Sequence, residues 1–176
     1  HTGTLDPDAV GVLPVCLGRA TKLCDMLTDK DKVYEAVMLL GVETDTQDTT
    51  GTILNENRGM AETLDEEKIR NIAEGFVGPY SQIPPMYSAL KVNGKKLYEL
   101  AREGKEIERK ARPVEIFSLT VDRIELPRVT MTVHCSKGTY IRTLCHDIGE
   151  KLGCGGCMED LKRIRVDRFS VEESRT

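Results

Sequence analysis

Two adjoining stretches restrict the possible folds of this chain more than anything else in it. In RVTMTVHCS, Val129, Met131, Val133 and Cys135 alternate with polar residues, the period-two pattern of a strand with one face in a core. In GTYIRTLCHDIGEKLG the period changes: Ile141, Leu144, Cys145, Ile148 and Leu152 take helical spacing, and Gly153 is placed to end the helix. A one-sided strand feeding an amphipathic helix needs a sheet on one side and a helical cover on the other. KVYEAVMLLG and PVEIFSLTVDRIEL read as further strands. Thr63 and Glu66 form a capping-box pattern ahead of a helix striped by Ile69, Ile72, Ala73 and Phe76. With no βαβ repetition in this order, the expected class is α+β with a mainly antiparallel sheet.

The remaining segments read less regularly. VGVLPVCLG is expected to be a short buried strand broken at Pro14, followed by a short helix carrying Ala20, Leu23, Cys24 and Leu27 on one face. TDTQDTTG contains no apolar residue and reads as loop. Between Ser81 and Gly104, Pro84-Pro85 prevents regular structure, Asn93-Gly94 signals a tight turn, and Leu97–Arg102 can form a short helix. This segment is expected to project from the body as a long loop or hairpin, a kind of element that is often functional. A last short helix around Met158–Leu161 is expected to lead into a strand, IRVDRFS.

No apolar run approaches the roughly 20 residues a membrane-spanning helix needs. Several of the six cysteines fall at apolar positions of regular elements, which fits small hydrophobes in a reducing, cytoplasmic compartment better than a disulfide scaffold. Cys154-Gly-Gly-Cys157 has the spacing of half a zinc site, and His134, Cys135, Cys145 and His146 could supply partners. A single CxxC is weak evidence, and no metal is expected. The formal net charge is −4, unevenly spread. Tyr80–Pro113 carries eight Lys/Arg against four acids, and Lys137–Arg168 seven against five, so two basic stretches lie on an acidic body. They can form a footprint for phosphates or simply be solvated faces.

The opening string HTGTLDPDAVGVLPVCLGRATKL resembles the catalytic motif of the bacterial tRNA pseudouridine-55 synthase family. Four more blocks follow in the family's order: KVYEAVMLLGVETDTQDTTG, QIPPMYSALKVNGKKLYELAREG, GTYIRTLCHDIGEKLG and LKRIRVDRFS. The resemblance implies an α+β pseudouridine-synthase core with a mixed, largely antiparallel sheet flanked by helices. It implies a catalytic domain over residues 1–176, truncated at its N-terminus, with an RNA-gripping thumb at about 80–105. Asp6 would be the nucleophile, Tyr34 would pack against the target base, Arg142 would pair with Asp6, and Leu161 would line the uracil pocket. His1 would take the place of a flipped base, and Lys91, Lys95, Lys96 and Arg102 would grip RNA. Lys162, Arg163 and Arg165 could extend the same surface. Asp167 stands where the family usually has glycine.

The implied reaction converts a uridine at position 55, in the T-loop of tRNA, to pseudouridine, with no cofactor and no obligatory protein partner. Such chemistry breaks a C1′–N1 bond and forms a C1′–C5 bond without net redox change, and a carboxylate nucleophile divides it into two easier steps. A carboxylate in a pocket that excludes water stays ionised most readily with an arginine within roughly 4–6 Å. A buried uridine must also be flipped out, at a cost of a few kcal/mol. Two alternatives stand beside this reading: a non-catalytic tRNA-binding or tRNA-folding module, and a guide-RNA-dependent synthase of the archaeal and eukaryotic branch. The GVLP run and the extended thumb favour the stand-alone bacterial type.

Overall fold

The alternating stretch and its neighbour PVEIFSLTVDRIEL form a long antiparallel hairpin, from which a mixed sheet extends on both sides. The computed structural model describes residues 1–175. Its strands are β1 (Val10–Gly11), β2 (Lys32–Leu40), β3 (Val42–Thr44), β4 (Ile53–Glu56), β5 (Gly78–Gln82), β6 (Lys91–Val92), β7 (Lys95–Lys96), β8 (Arg112–Glu125), β9 (Arg128–Cys135), β10 (Gly156–Val166) and β11 (Phe169–Ser170). The helices are α1 (Cys24–Thr28), α2 (Arg58–Glu62), α3 (Glu66–Glu74), α4 (Leu97–Arg102) and α5 (Ile141–Leu152), with a 3-10 helix over Gly18–Leu23. The main sheet runs β1-β10-β2-β9-β8-β5, with β11 paired to β10. Every pairing is antiparallel except β1 on β10. The class is therefore α+β, as the patterns require.

One face of the sheet carries the core. Met38, Leu40, Ile116, Val129, Met131, Val133 and Cys135 are buried there against Leu144, Ile148 and Leu152 of α5 and Ile69 and Ala73 of α3. The helix α5 comes very close to β10: a Cβ added at Gly149 would lie 2.3 Å from the Gly156 nitrogen, so only glycine fits at this crossing. Gly153 ends α5 in the left-handed conformation, φ 83°. Asn93 and Gly94, both with positive φ, turn the β6–β7 hairpin. Asp167 takes φ 51°, a conformation Asp tolerates better than most residues, and the turn into β11 forms without a glycine.

Four expectations need correction. Met158–Leu161 is strand, part of β10, because it pairs along its length with β2. Only Val10–Gly11 of the first apolar run is strand, and most of that run is exposed; Val12 alone is fully buried. The helix after it lies on the surface and is largely 3-10, with no buried residue. The cap of α3 is Asp65, whose carboxylate accepts from the Glu67 N–H, while Thr63 closes α2 and donates its hydroxyl to Met60 O. No helix among the described residues is long and apolar enough to cross a membrane.

Candidate active site

The loop around Asp6 is tied down from several directions. The Ala9 N–H donates to Asp6 O, closing a turn, and Thr2 N–H donates to Pro14 O. Strand β1 lies parallel on β10, with Val10 opposite Lys162 and Gly11 opposite Arg163. Arg163 does the rest of the anchoring. It is 1% exposed, and its guanidinium donates to Val12 O at 2.8 Å through Nε and to Gly3 O at 3.0 Å through Nη2. Assigning Arg163 to an RNA-facing surface is therefore incorrect: an inward position on β10 points it under the loop. Arg165 also has an intramolecular role, 3.8 Å from Asp31.

Arg142 is the second residue of α5 and is 4% exposed. Its Nε donates to Asp6 Oδ2 at 2.8 Å and its Nη2 to Asp6 Oδ1 at 3.1 Å, a two-pronged pairing. The same guanidinium donates to Thr46 O at 3.0 Å and to Tyr87 O at 2.9 Å, and Asp48 Oδ2 lies 4.0 Å away. Sequence and structure thus bring together Asp6 and Arg142, which are 136 residues apart. The Asp6 side chain stays about one-third exposed, so its carboxylate is held but accessible.

Tyr34 and Leu161 occupy the same inner face. In the β2–β10 ladder Leu161 pairs with Ala36 and Arg163 with Tyr34, so Tyr34 and Leu161 are diagonal neighbours. Leu161 is 6% exposed and belongs to the core cluster on which Tyr34 packs. Burial pushes the Tyr34 phenol up to about 12; the charges of Cys135 and Asp6 add to this, while the Arg163 guanidinium opposes it.

The other residues read from the sequence lie apart. His1 is exposed at the chain end. Lys91, Lys95 and Lys96 sit on the β6–β7 hairpin and Arg102 on α4; none of them bonds to Asp6 or Arg142 among the described residues. Lys95 lies 3.8 Å from Glu103, and Lys96 and Arg102 both lie against the Tyr98 ring. The hairpin is joined to the site at its root, where Tyr87 supplies its carbonyl to Arg142.

Several site residues carried no clear signal in the sequence. The TDTQDTTG loop is a scaffold: Thr46 holds Arg142, the Thr143 hydroxyl donates to Gln47 Oε1 at 2.7 Å, and Met158 N–H donates to Gln47 O. Asp48 Oδ1 accepts from both Thr46 and Thr50, which fixes the loop internally. Gln82 bonds both backbone groups of Tyr140 and so fixes the start of α5. A dense run of Asp and Thr directly after a buried strand was the available hint. Two open cavities, of about 830 and 580 Å³, involve neither Asp6 nor Arg142. Cys135, Cys145, Cys154 and Cys157 are buried singly in packed positions.

Several known proteins are similar to this chain. The family described as TruB family pseudouridylate synthase (N terminal domain) matches residues 1–141, and the tRNA pseudouridylate synthase B C-terminal domain matches residues 142–176. The tRNA pseudouridine synthase B of Lachnoclostridium phytofermentans is 58% identical over 182 residues, covering 99% of this chain and 58% of that protein. Its counterpart in Clostridium kluyveri is 52% identical over 174 residues, covering 99% of this chain and 59% of the relative. The chain thus spans somewhat under two-thirds of the length of the curated relatives it matches. A solved Cbf5-Nop10-Gar1 complex contains a chain with 32% identity and a TM-score of 0.72, over 97% of this chain and 40% of that one. With both family matches in register along residues 1–176, the chain belongs to the TruB family of pseudouridylate synthases.

Proposed function

We propose that this chain is the catalytic part of a tRNA pseudouridine synthase that isomerises the uridine at position 55 in the T-loop, with Asp6 as nucleophile. The observation that carries this reading is the two-pronged pairing of Asp6 with buried Arg142, in a chain of this family. The pairing holds the carboxylate in a fixed orientation, and Tyr34 and Leu161 supply a mostly apolar wall. In the reading, Asp6 forms the transient covalent bond, and Tyr34 offers its flat face to the uracil and a neutral hydroxyl for proton transfer. His1 stacks in the gap left by the flipped base, as aromatic side chains stack on unpaired bases. Lys91, Lys95, Lys96 and Arg102 contribute phosphate contacts that set affinity and register.

The test is pseudouridine mapping in a T-arm stem-loop by mass spectrometry, using the protein and its Asp6→Asn variant. Conversion of one T-loop uridine by the parent and none by the variant is the expected outcome. Retained conversion in Asp6→Asn overturns the role of Asp6. Salt-dependent tRNA binding with no conversion by either protein would favour the non-catalytic module, and conversion only with an added guide RNA the other branch of the family.

A further inference from the structure

Arg142 is the second residue of α5, so its direction depends on how the first turn of that helix is held. That turn has no cap of its own. Tyr140, at the N-cap, makes no side-chain bond to the helix, and no acidic residue lies in the first turn. The support comes instead from Gln82, 58 residues upstream of Tyr140. Gln82 is the last residue of β5 and is 1% exposed. Its Oε1 accepts from the Tyr140 N–H at 2.8 Å, and its Nε2 donates to Tyr140 O at 2.9 Å. Tyr140 O also accepts from the Leu144 N–H, so the same carbonyl closes the first turn of α5. A neutral amide suits this place, because it offers an acceptor to one backbone group and a donor to the other.

Gln82 also stands where the chain leaves the main sheet. Pro84-Pro85 follow it, then Tyr87, whose carbonyl accepts from Arg142 Nη2 at 2.9 Å, and then the β6–β7 hairpin with Lys91, Lys95 and Lys96. The root of the hairpin thus touches the start of α5 twice, once at the Tyr140 backbone and once at the Arg142 guanidinium.

We propose that Gln82 is a positioning residue for the Asp6–Arg142 pair: by fixing Tyr140 from the root of the hairpin, it sets the direction of Arg142 and so the aim of the Asp6 carboxylate. As a statement about turnover, this rests on the function proposed above. Gln82 bonds neither Asp6 nor Arg142 among the described residues, and acts only through the start of the helix. Small errors there matter, since a misplacement of about 1 Å can slow a positioned reaction ~10²-fold.

The test reads the guanidinium directly. In NMR spectra of the isotope-labelled protein, the Arg142 Nε–H is identified by its loss in Arg142→Lys, and the Arg163 Nε–H, bonded to Val12 O, is the internal reference. Gln82→Met keeps the length of the side chain and removes both hydrogen bonds. Exchange of the Arg142 Nε–H with water should then quicken by about tenfold or more, while Arg163 stays as in the parent. Gln82→Glu keeps the acceptor and loses the donor; it should change Arg142 less in the same direction, and it replaces Gln82→Met if that variant folds poorly. An unchanged Arg142 signal, or equal quickening at both arginines, overturns the proposal. In single-turnover conversion of a T-arm stem-loop, Gln82→Met should lose about tenfold or more in rate, with the half-saturating RNA concentration within about twofold of the parent. In an Arg142→Lys background the same substitution should cost less than about threefold, because both changes act on one pair. Full additivity, or equal losses in rate and affinity, overturns the proposal as well. A parent that converts no uridine refutes the function proposed above, and the guanidinium spectrum then decides on Gln82 by itself.

Discussion

Arg142 holds both carboxylate oxygens of Asp6, and two more of its N–H groups are committed to the carbonyls of Thr46 and Tyr87. A lysine offers one ammonium on a flexible stem and cannot reproduce this pattern. Arg142→Lys therefore loses at least two charge-assisted hydrogen bonds, worth about 3 kcal/mol, or ~10²-fold in single-turnover conversion. Binding of tRNA, followed by filter retention, should fall far less. Equal losses in both would make Arg142 an RNA contact.

Arg163 acts one layer below. Replacing it with methionine keeps the volume but leaves Val12 O and Gly3 O without their donors. Two bonds from a charged donor correspond to about 3 kcal/mol or more, and to a fall of ~6–12 °C in Tm for a protein of this size. Hydrogen exchange should quicken first at the Thr2 and Val12 amides, whose bonds secure the same segment. An unchanged exchange pattern there would rule out the anchoring role.

Tyr34 titrates at about 12 in the fold against an ordinary 10. Above pH 10 the unfolded phenol loses its proton while the folded one keeps it, so stability is full below pH 10 and falls between pH 10 and 12. Two units correspond to about 3 kcal/mol. Urea melts across this window should show a drop in the parent that is smaller by roughly this amount in Tyr34→Phe. Parallel curves for the two proteins would contradict the burial argument.

Gly149→Ala sets two effects against each other. Alanine favours a helix over glycine by about 1 kcal/mol, but its Cβ would sit 2.3 Å from a β10 backbone nitrogen and 2.4 Å from the Gly155 carbonyl carbon. Backbone cannot move aside cheaply, so overpacking of about 1–3 kcal/mol or more decides the sign. Thermal denaturation should show a lower Tm; a higher one would mean that α5 and β10 do not approach so closely.

On the β6–β7 hairpin, Lys91→Gln and Lys95→Gln should each weaken tRNA binding and reduce the log–log salt slope by about 0.9 if each neutralises one phosphate. Conversion at saturating tRNA should change little. An unaltered slope places these side chains off the RNA.

The regular periods were legible: the β8–β9 hairpin, the α5 stripe and the Asn93-Gly94 turn all follow from residue spacing. β10 was misread for a definable reason. Its register shifts after Met158 and after Arg163, and the shifts put its inward residues at Met158, Leu161, Arg163 and Val166. Steps of three, two and three imitate a helical stripe, and only pairing with β2 resolves them. The same shifts hid Arg163, which looks like one cation in a basic run. Asp6 and Arg142 were legible through resemblance to a family, whereas their supports, Thr46, Gln47, Asp48 and Tyr87, act largely through backbone atoms or within a polar loop that no periodicity marks.

The partners of the Arg142 guanidinium lie 136, 96 and 55 residues away along the chain. Each such contact requires closure of a long loop before it can form, and contacts of this kind tend to come late in folding. The ion pair is thus a checkpoint in folding as well as the centre of the proposed site. During refolding, helical signal should return before any pseudouridine formation, and a partly folded chain would carry its basic hairpin without a carboxylate fixed by Arg142.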